Sequence, residues 1–518
     1  MSDPQPVEPK SRPVGGTENS WCRSVPAGTG TTVLALHLSK PPDTPLLQTA
    51  LHRLLTSHPI LRSTLHLDPT TATFSFATPP APHLQIQPFD LHSTARILQS
   101  PTVDTLSPFH LILEHEMNLN PWSDSDGPTS GVDLFFASVY EVSADTWAVV
   151  LRVHTAACDR TAAVALLREL LELMVEGGGA EGESNGEAEV SLGIEDYIPS
   201  GKADKRFWAR GADMLGYSLN SFRLANLSFE VAGFPRKSEV VRFELNADET
   251  DRIVSTFDTI HGASALFTGT WVGSTDELVD LHVYVSEQDS RMDRTEQDSR
   301  RAERTELGCK SRGIKLCALV AAAGLLAARS SKCLPYGQWE KYAVATLIDC
   351  RSVLDPILTG HHQGFYHSAL VNSHDLKGGE ELWELAKRIY TSFANAKDNN
   401  KHFSDMADLN FLMCKAIDNP GLTPSSSLRT SLISVFEDPV IDDSNKSHEG
   451  VGVEDYVGCA SVHGVGPSIA VFDTIRDGEL DCACVYPSPL HSREQMQDIV
   501  ADMKRFLVDG GNYLENDR

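Results

Sequence analysis

The segment Thr146–Leu171, TWAVVLRVHTAACDRTAAVALLRELL, holds the residues whose types and spacing best suit chemistry. Its β-rich first part closes on His154, the stretch TAACDR follows, and an amphipathic helix begins near Thr161. An imidazole therefore stands at the end of a buried strand and the Asp159 carboxylate at a helix start. A neutral imidazole near pH 7 can take a proton from an alcohol, amine or thiol as that group attacks a carbonyl. The carboxylate can fix local geometry through an ion pair. By themselves, one His and one Asp so spaced are more often a satisfied core histidine and a helix cap. Cys158 lies between them, but no glycine-rich oxyanion turn accompanies it, so it reads as a small buried thiol. GVGPS at 464–468 lacks the Lys and Ser/Thr of a phosphate loop and reads as a turn.

The elements that must hold these residues alternate between strand and helix. TTVLALHL reads as a strand, Thr44–Leu55 has helical spacing, and HPILRSTLHL returns to strand. TATFSFAT and LQIQPFDL, a helix over Pro108–Leu119, VDLFFASVYEV and the helix Thr161–Val175 complete the first half. The second half repeats the alternation with EVVRFEL, a buried helix over Leu316–Ala328, YAVATLI, GFYHSALVN, a helix over Glu380–Ala396, LISVFED, SIAVFDTI, LDCACVY and a last helix over Gln495–Leu507. Interleaving of this kind predicts an α/β layer structure, not a helical bundle.

The polar, Pro-rich residues 1–20 read as a disordered tail, 21–200 and 202–509 as two domains, and GGGAEGESNGEAE at 177–189 as a mobile loop. EQDSR recurs at 287 and 296 within a polar run, so 256–306 reads as a partly disordered insertion.

The 518-residue length favours more than one core. With 44 basic and 71 acidic residues the net charge is −27, which argues against nucleic acid or an anionic membrane as the main partner. The N-terminus carries no secretory signal pattern, and Leu316–Ala328 is shorter than the roughly 20 apolar residues of a membrane span. The ten cysteines lie mostly in apolar segments without a CxxC pair, which suits reduced thiols in a cytoplasmic protein and gives no support to a metal site.

Thr146–Leu171 resembles the HHxxxDG motif of condensation domains and the HxxxD motif of related acyltransferases, including the helix with paired leucines that follows. Leu51–Leu67, with its HPILR, is similar to the N-terminal helix and strand of that superfamily. Asp349–Asn372 is similar to its GR segment and GxFVN-like strand, and Gly478–Met496 to its closing strand and C-terminal helix. The order of these matches, across nearly the whole chain, resembles the condensation-domain and chloramphenicol-acetyltransferase-like (BAHD-related) superfamily of CoA-dependent acyltransferases.

The resemblance implies two chloramphenicol-acetyltransferase-like α/β domains packed around a central channel, with donor and acceptor entering from opposite faces. It places His154 and Asp159 at the channel centre, gives Asp159 a structural role, and pairs it with Arg351. Aligning on Asp159 puts His154 at the first motif histidine and Thr155 at the second, which is the catalytic one in the family, while Arg160 replaces the motif glycine. Three readings stay open: a loop adjustment brings His154 into the channel, His367 on GFYHSALVN substitutes as base, or the fold persists without the chemistry. The resemblance therefore implies a monomeric acyltransferase moving an acyl group from a thioester, with acyl-CoA as co-substrate, onto a small alcohol or amine. The alternative is a non-catalytic ligand-binding or interaction protein.

Overall fold

In the strand Thr29–Leu38, Leu34, Leu36 and Leu38 pack into one apolar layer and Val33 and Ala35 into another. Its neighbour Thr146–His154 divides likewise, with Val149, Leu151 and Val153 on the first side and Ala148 and Val150 on the second. Strands covered on both faces read as continuous apolar runs, which is why these segments lack polar alternation. The computed structural model describes residues 9–99, 106–123, 127–175, 190–221, 223–231, 235–255, 314–332, 334–335, 337–442 and 445–512.

Two main sheets organise the chain. The five-stranded first sheet runs in the order Val453–Val462, Thr29–Leu38, Thr146–His154, Phe135–Ser143, Gln87–Phe89. The seven-stranded second sheet runs His367–Leu376, Glu340–Asp349, Arg429–Phe436, Gly466–Arg476, Glu479–Ser488, Lys237–Leu245, with Val440–Asp442 also beside Gly466–Arg476. Helix Arg160–Val175 covers the first sheet through Ala162, Leu166, Leu167, Leu170 and Leu171. Helices Leu316–Ser330 and Arg493–Asn512 cover the second. A third apolar layer contains Val33, Val150 and Val457 of one sheet, Val240 and Val485 of the other, and Phe109 and Ile112 of helix Pro108–Asn118. The two halves thus share a core as well as a surface.

Several elements depart from the sequence reading: Pro59–Arg62, read as the start of a strand, is a 3-10 turn, helix Met406–Asp418 was not expected, and two others bear more on how the chain is joined. Strand Val453–Val462 comes from the C-terminal half yet pairs antiparallel with Thr29–Leu38, Val457 opposite Ala35 and Cys459 opposite Val33. The divide at 200–202 is therefore crossed by one strand. VEDYVGCASV mixes polar and apolar residues, and its strand character depends on an edge that only the tertiary fold supplies.

Residues 9–20, read as tail, are ordered. Lys10–Pro13 adds antiparallel to Thr73–Thr78, and helix Gly16–Ser24 follows. Arg12 pairs with Glu18 at 2.6 Å, while Glu195 accepts both the backbone N–H and the hydroxyl of Thr17 at 2.6 Å. These polar residues look like a tail because the partner that satisfies Thr17 lies far away in sequence.

The segments 177–189 and 256–306 lie outside the described residues. Among the described residues no helix is long and apolar enough to cross a membrane. The apolar helix at 316–330 is buried against the second sheet, and the eight described cysteines are free and buried.

Candidate functional site

The site forms where the start of helix Arg160–Val175 meets the ends of three strands of the second sheet. Asp159 sits just before that helix, and its Oδ1 accepts the N–H of Ala162 at 2.9 Å, a capping bond that closes the first turn. Oδ2 accepts the N–H of Tyr366 at 2.8 Å, and the Asp159 N–H donates to the Gly364 carbonyl at 3.0 Å. Arg351 completes the arrangement: Nη2 donates to Oδ1 at 3.0 Å and Nη1 lies 3.0 Å from Oδ2. The guanidinium also donates to Asp349 and to the His362 carbonyl, each at 3.1 Å.

Both partners of this pair are buried, with side chains 4% and 1% exposed for Arg351 and Asp159, so water does not screen their attraction. Burial alone would raise the Asp159 pKa. The Arg351 charge and its hydrogen bonds, helped by the His367 ring beside the carboxylate, outweigh burial and hold the carboxyl well below the usual carboxylate range.

His154 and His367 have different surroundings. His154 is fully buried, edge-on to Trp122 with ring centroids 5.0 Å apart. Its Nδ1 accepts the Ala156 N–H at 3.1 Å and its Nε2 has no hydrogen-bond partner among the described residues. Burial presses its pKa from 6.5 to about 3, so the ring is neutral. The Thr155 hydroxyl is tied to the Gly30 carbonyl and lies 2.7 Å from that of Thr32. The Cys158 thiol is fully buried, and burial followed by the Asp159 charge pushes its pKa up, which leaves no thiolate for nucleophilic work.

His367 opens the strand His367–Leu376 and lines a cavity of about 400 Å³. Its Nδ1 lies 3.0 Å from Asp159 Oδ2, close enough for charge pairing although the alignment falls short of a hydrogen bond. One wall of the cavity is the outer face of the motif helix, with Arg160, Thr161, Val164, Ala165 and Arg168. The other wall is built by Leu347, Asp349, Gly360, His361 and the run Phe436–Ile441. Strands Glu340–Asp349 and Arg429–Phe436 are parallel, and Asp349 and Phe436 at their carboxyl ends reach the cavity. Crevices beyond the carboxyl ends of parallel strands are where open α/β sheets hold ligands. His154, Thr155 and Asp159 do not line this cavity.

Two features beside the site lie outside the sequence reading. Phe436 was only part of a strand, and Asp473 was hidden in SIAVFDTI. A carboxylate in the middle of an apolar strand requires a buried partner, and that signal was present. The partner is Arg160, whose Nη1 lies 2.9 Å from Asp473 Oδ1.

No family model and no curated protein matches the sequence. Solved structures do match over the full length. Trichothecene 15-O-acetyltransferase from Fusarium sporotrichioides superposes with a TM-score of 0.64 at 13% identity, covering 96% of this chain and 95% of that one. The first condensation domain of the calcium-dependent antibiotic synthetase, bound to a substrate analogue, gives 0.57 at 13%, with 96% of each chain covered. The X-domain from teicoplanin biosynthesis, in complex with OxyB, gives 0.51 at 13%, covering 99% and 95%. The chain therefore has the two-domain α/β fold of these solved structures. The same fold is shared by an acetyltransferase, a condensation domain and an X-domain.

Proposed function

We propose that this protein transfers an acyl group from a thioester, with acyl-CoA as the donor, to the hydroxyl or amine of a small acceptor, and that His367 is the general base. The observation that carries this reading is that His367 lines the interlobe cavity with its Nδ1 3.0 Å from the Asp159 carboxylate, whereas His154 is sealed in the core. A carboxylate at Nδ1 favours the tautomer with its proton there and leaves Nε2 as the acceptor. Nε2 takes the proton of the acceptor hydroxyl as its oxygen attacks the thioester carbonyl. The C–O bond forms, the C–S bond then breaks, and the leaving thiolate recovers the proton from the imidazolium. Asp159, held ionised by Arg351, stabilises the imidazolium while it lasts.

The test is transfer from a panel of radiolabelled acyl-CoA donors to lysate-derived acceptors. His367→Gln should lower turnover by about 10² to 10⁴-fold, the usual cost of a lost general base. His154→Asn should retain most of it. The reverse ranking would return the role to His154.

A second reading is favoured by one observation, the Thr155 hydroxyl tied to the Gly30 carbonyl where the family motif carries its second histidine. There the fold serves binding alone, in the manner suggested by an X-domain solved in complex with a partner. Ligand binding without turnover of any donor would support it.

A further inference from the structure

Arg160 stands where the superfamily motif has glycine, and its side chain is 9% exposed. One end of the guanidinium meets Asp473, with Nη1 2.9 Å from the carboxylate and Nη2 donating to the Asp473 carbonyl. Its plane lies over the ring of Phe436 at 4.3 Å from the centroid. Phe436 in turn meets the His367 ring at an interplanar angle of 88° with centroids 5.8 Å apart, and leans on Phe472 at 5.5 Å. Phe472 and Asp473 are consecutive on Gly466–Arg476, so the stack rests on a central strand of the second sheet. Arg160, Phe436 and His367 all line the cavity.

We propose that Arg160 is a positioning residue for His367. It holds Phe436 against the imidazole and so fixes both the ring's orientation and the space in front of it. Consecutive residues of the first half then clasp the second half with opposite charges, Asp159 on Arg351 and Arg160 on Asp473. The first clasp reaches the Nδ1 side of His367 through the Asp159 carboxylate, and the second reaches the ring through Phe436. A desolvated guanidinium on an aromatic face is a directional contact that a neutral side chain of similar length does not reproduce. The placement of His367 by this stack does not depend on acyl transfer.

The experiment is carbethoxylation of the full-length protein with diethylpyrocarbonate, followed site by site by mass spectrometry. The His367 rate is taken relative to His83, whose side chain is 51% exposed and serves as an internal reference. Arg160→Met should raise that ratio about thirtyfold, the order expected for loss of one desolvated cation–π contact. Phe436→Leu, which leaves the Arg160–Asp473 pair in place, should raise it similarly and keeps the test open if Arg160→Met does not fold. A purely structural Arg160 would lower the melting temperature without moving the ratio. An unchanged ratio in a folded Arg160→Met protein, or in Phe436→Leu, overturns the proposal.

Discussion

Acidification should act on this protein through His154. The ring is fully buried, its Nδ1 bonded to Ala156 and its Nε2 without a hydrogen-bond partner among the described residues, and burial lowers its pKa from 6.5 to about 3. In the unfolded chain the same ring takes up a proton near pH ~6.5. Between those values the unfolded state binds one more proton than the folded state. The contribution of His154 is therefore intact above pH ~6.5 and is lost progressively as pH falls toward the folded value.

From pH ~6.5 to ~4.5 the loss is two units at about 1.36 kcal/mol each, roughly 3 kcal/mol and a substantial share of ordinary domain stability. His374, His402, His463 and His491, each pressed to about 4 with burial as the leading cause, add to the same slope, so the measurement must be a difference. Urea denaturation of the wild type and of His154→Asn at pH ~7 and ~4.5 supplies it. The variant should start less stable, having lost the Trp122 contact, but its acid-induced loss should be smaller by roughly 3 kcal/mol. Equal losses in the two proteins would refute the reasoning, as would a His154 ring signal in NMR that titrates near pH ~6.5.

Two further outcomes follow from the same geometry. Arg351→Ala strands a buried carboxylate, which should cost about 3 to 5 kcal/mol by calorimetry or denaturant titration, and an unchanged stability would mean that Asp159 does not rely on that pair. Gly464→Ala should destabilise by about 1 to 3 kcal/mol, because an added Cβ would lie 2.3 Å from the Ala27 carbonyl oxygen at the turn that Arg429 fastens, whereas Gly421→Ala, with nothing within 4 Å, should be neutral in the same titration.

The amino-acid sequence by itself determined the local pieces. The apolar run into His154, the start of the helix after Asp159 and the buried helix near 316–330 are set by propensity and patterning within a few neighbours. The order of short motifs was enough to indicate the fold. What it could not decide was which histidine meets open space. His154 and His367 both begin or end apolar strands, and their local patterns are alike. Their separation depends on Trp122 covering one ring and on the motif helix standing back from the other to leave a cavity.

The tail-like residues 9–20 and the strand Val453–Val462 were illegible for a related reason. Their polar groups and edges find partners far away in sequence, at Glu195 and at Thr29–Leu38. The pairing of Arg160 with Asp473 belongs to the same class, since a charge in an apolar strand announces that a partner exists but only the packed halves show which one it is.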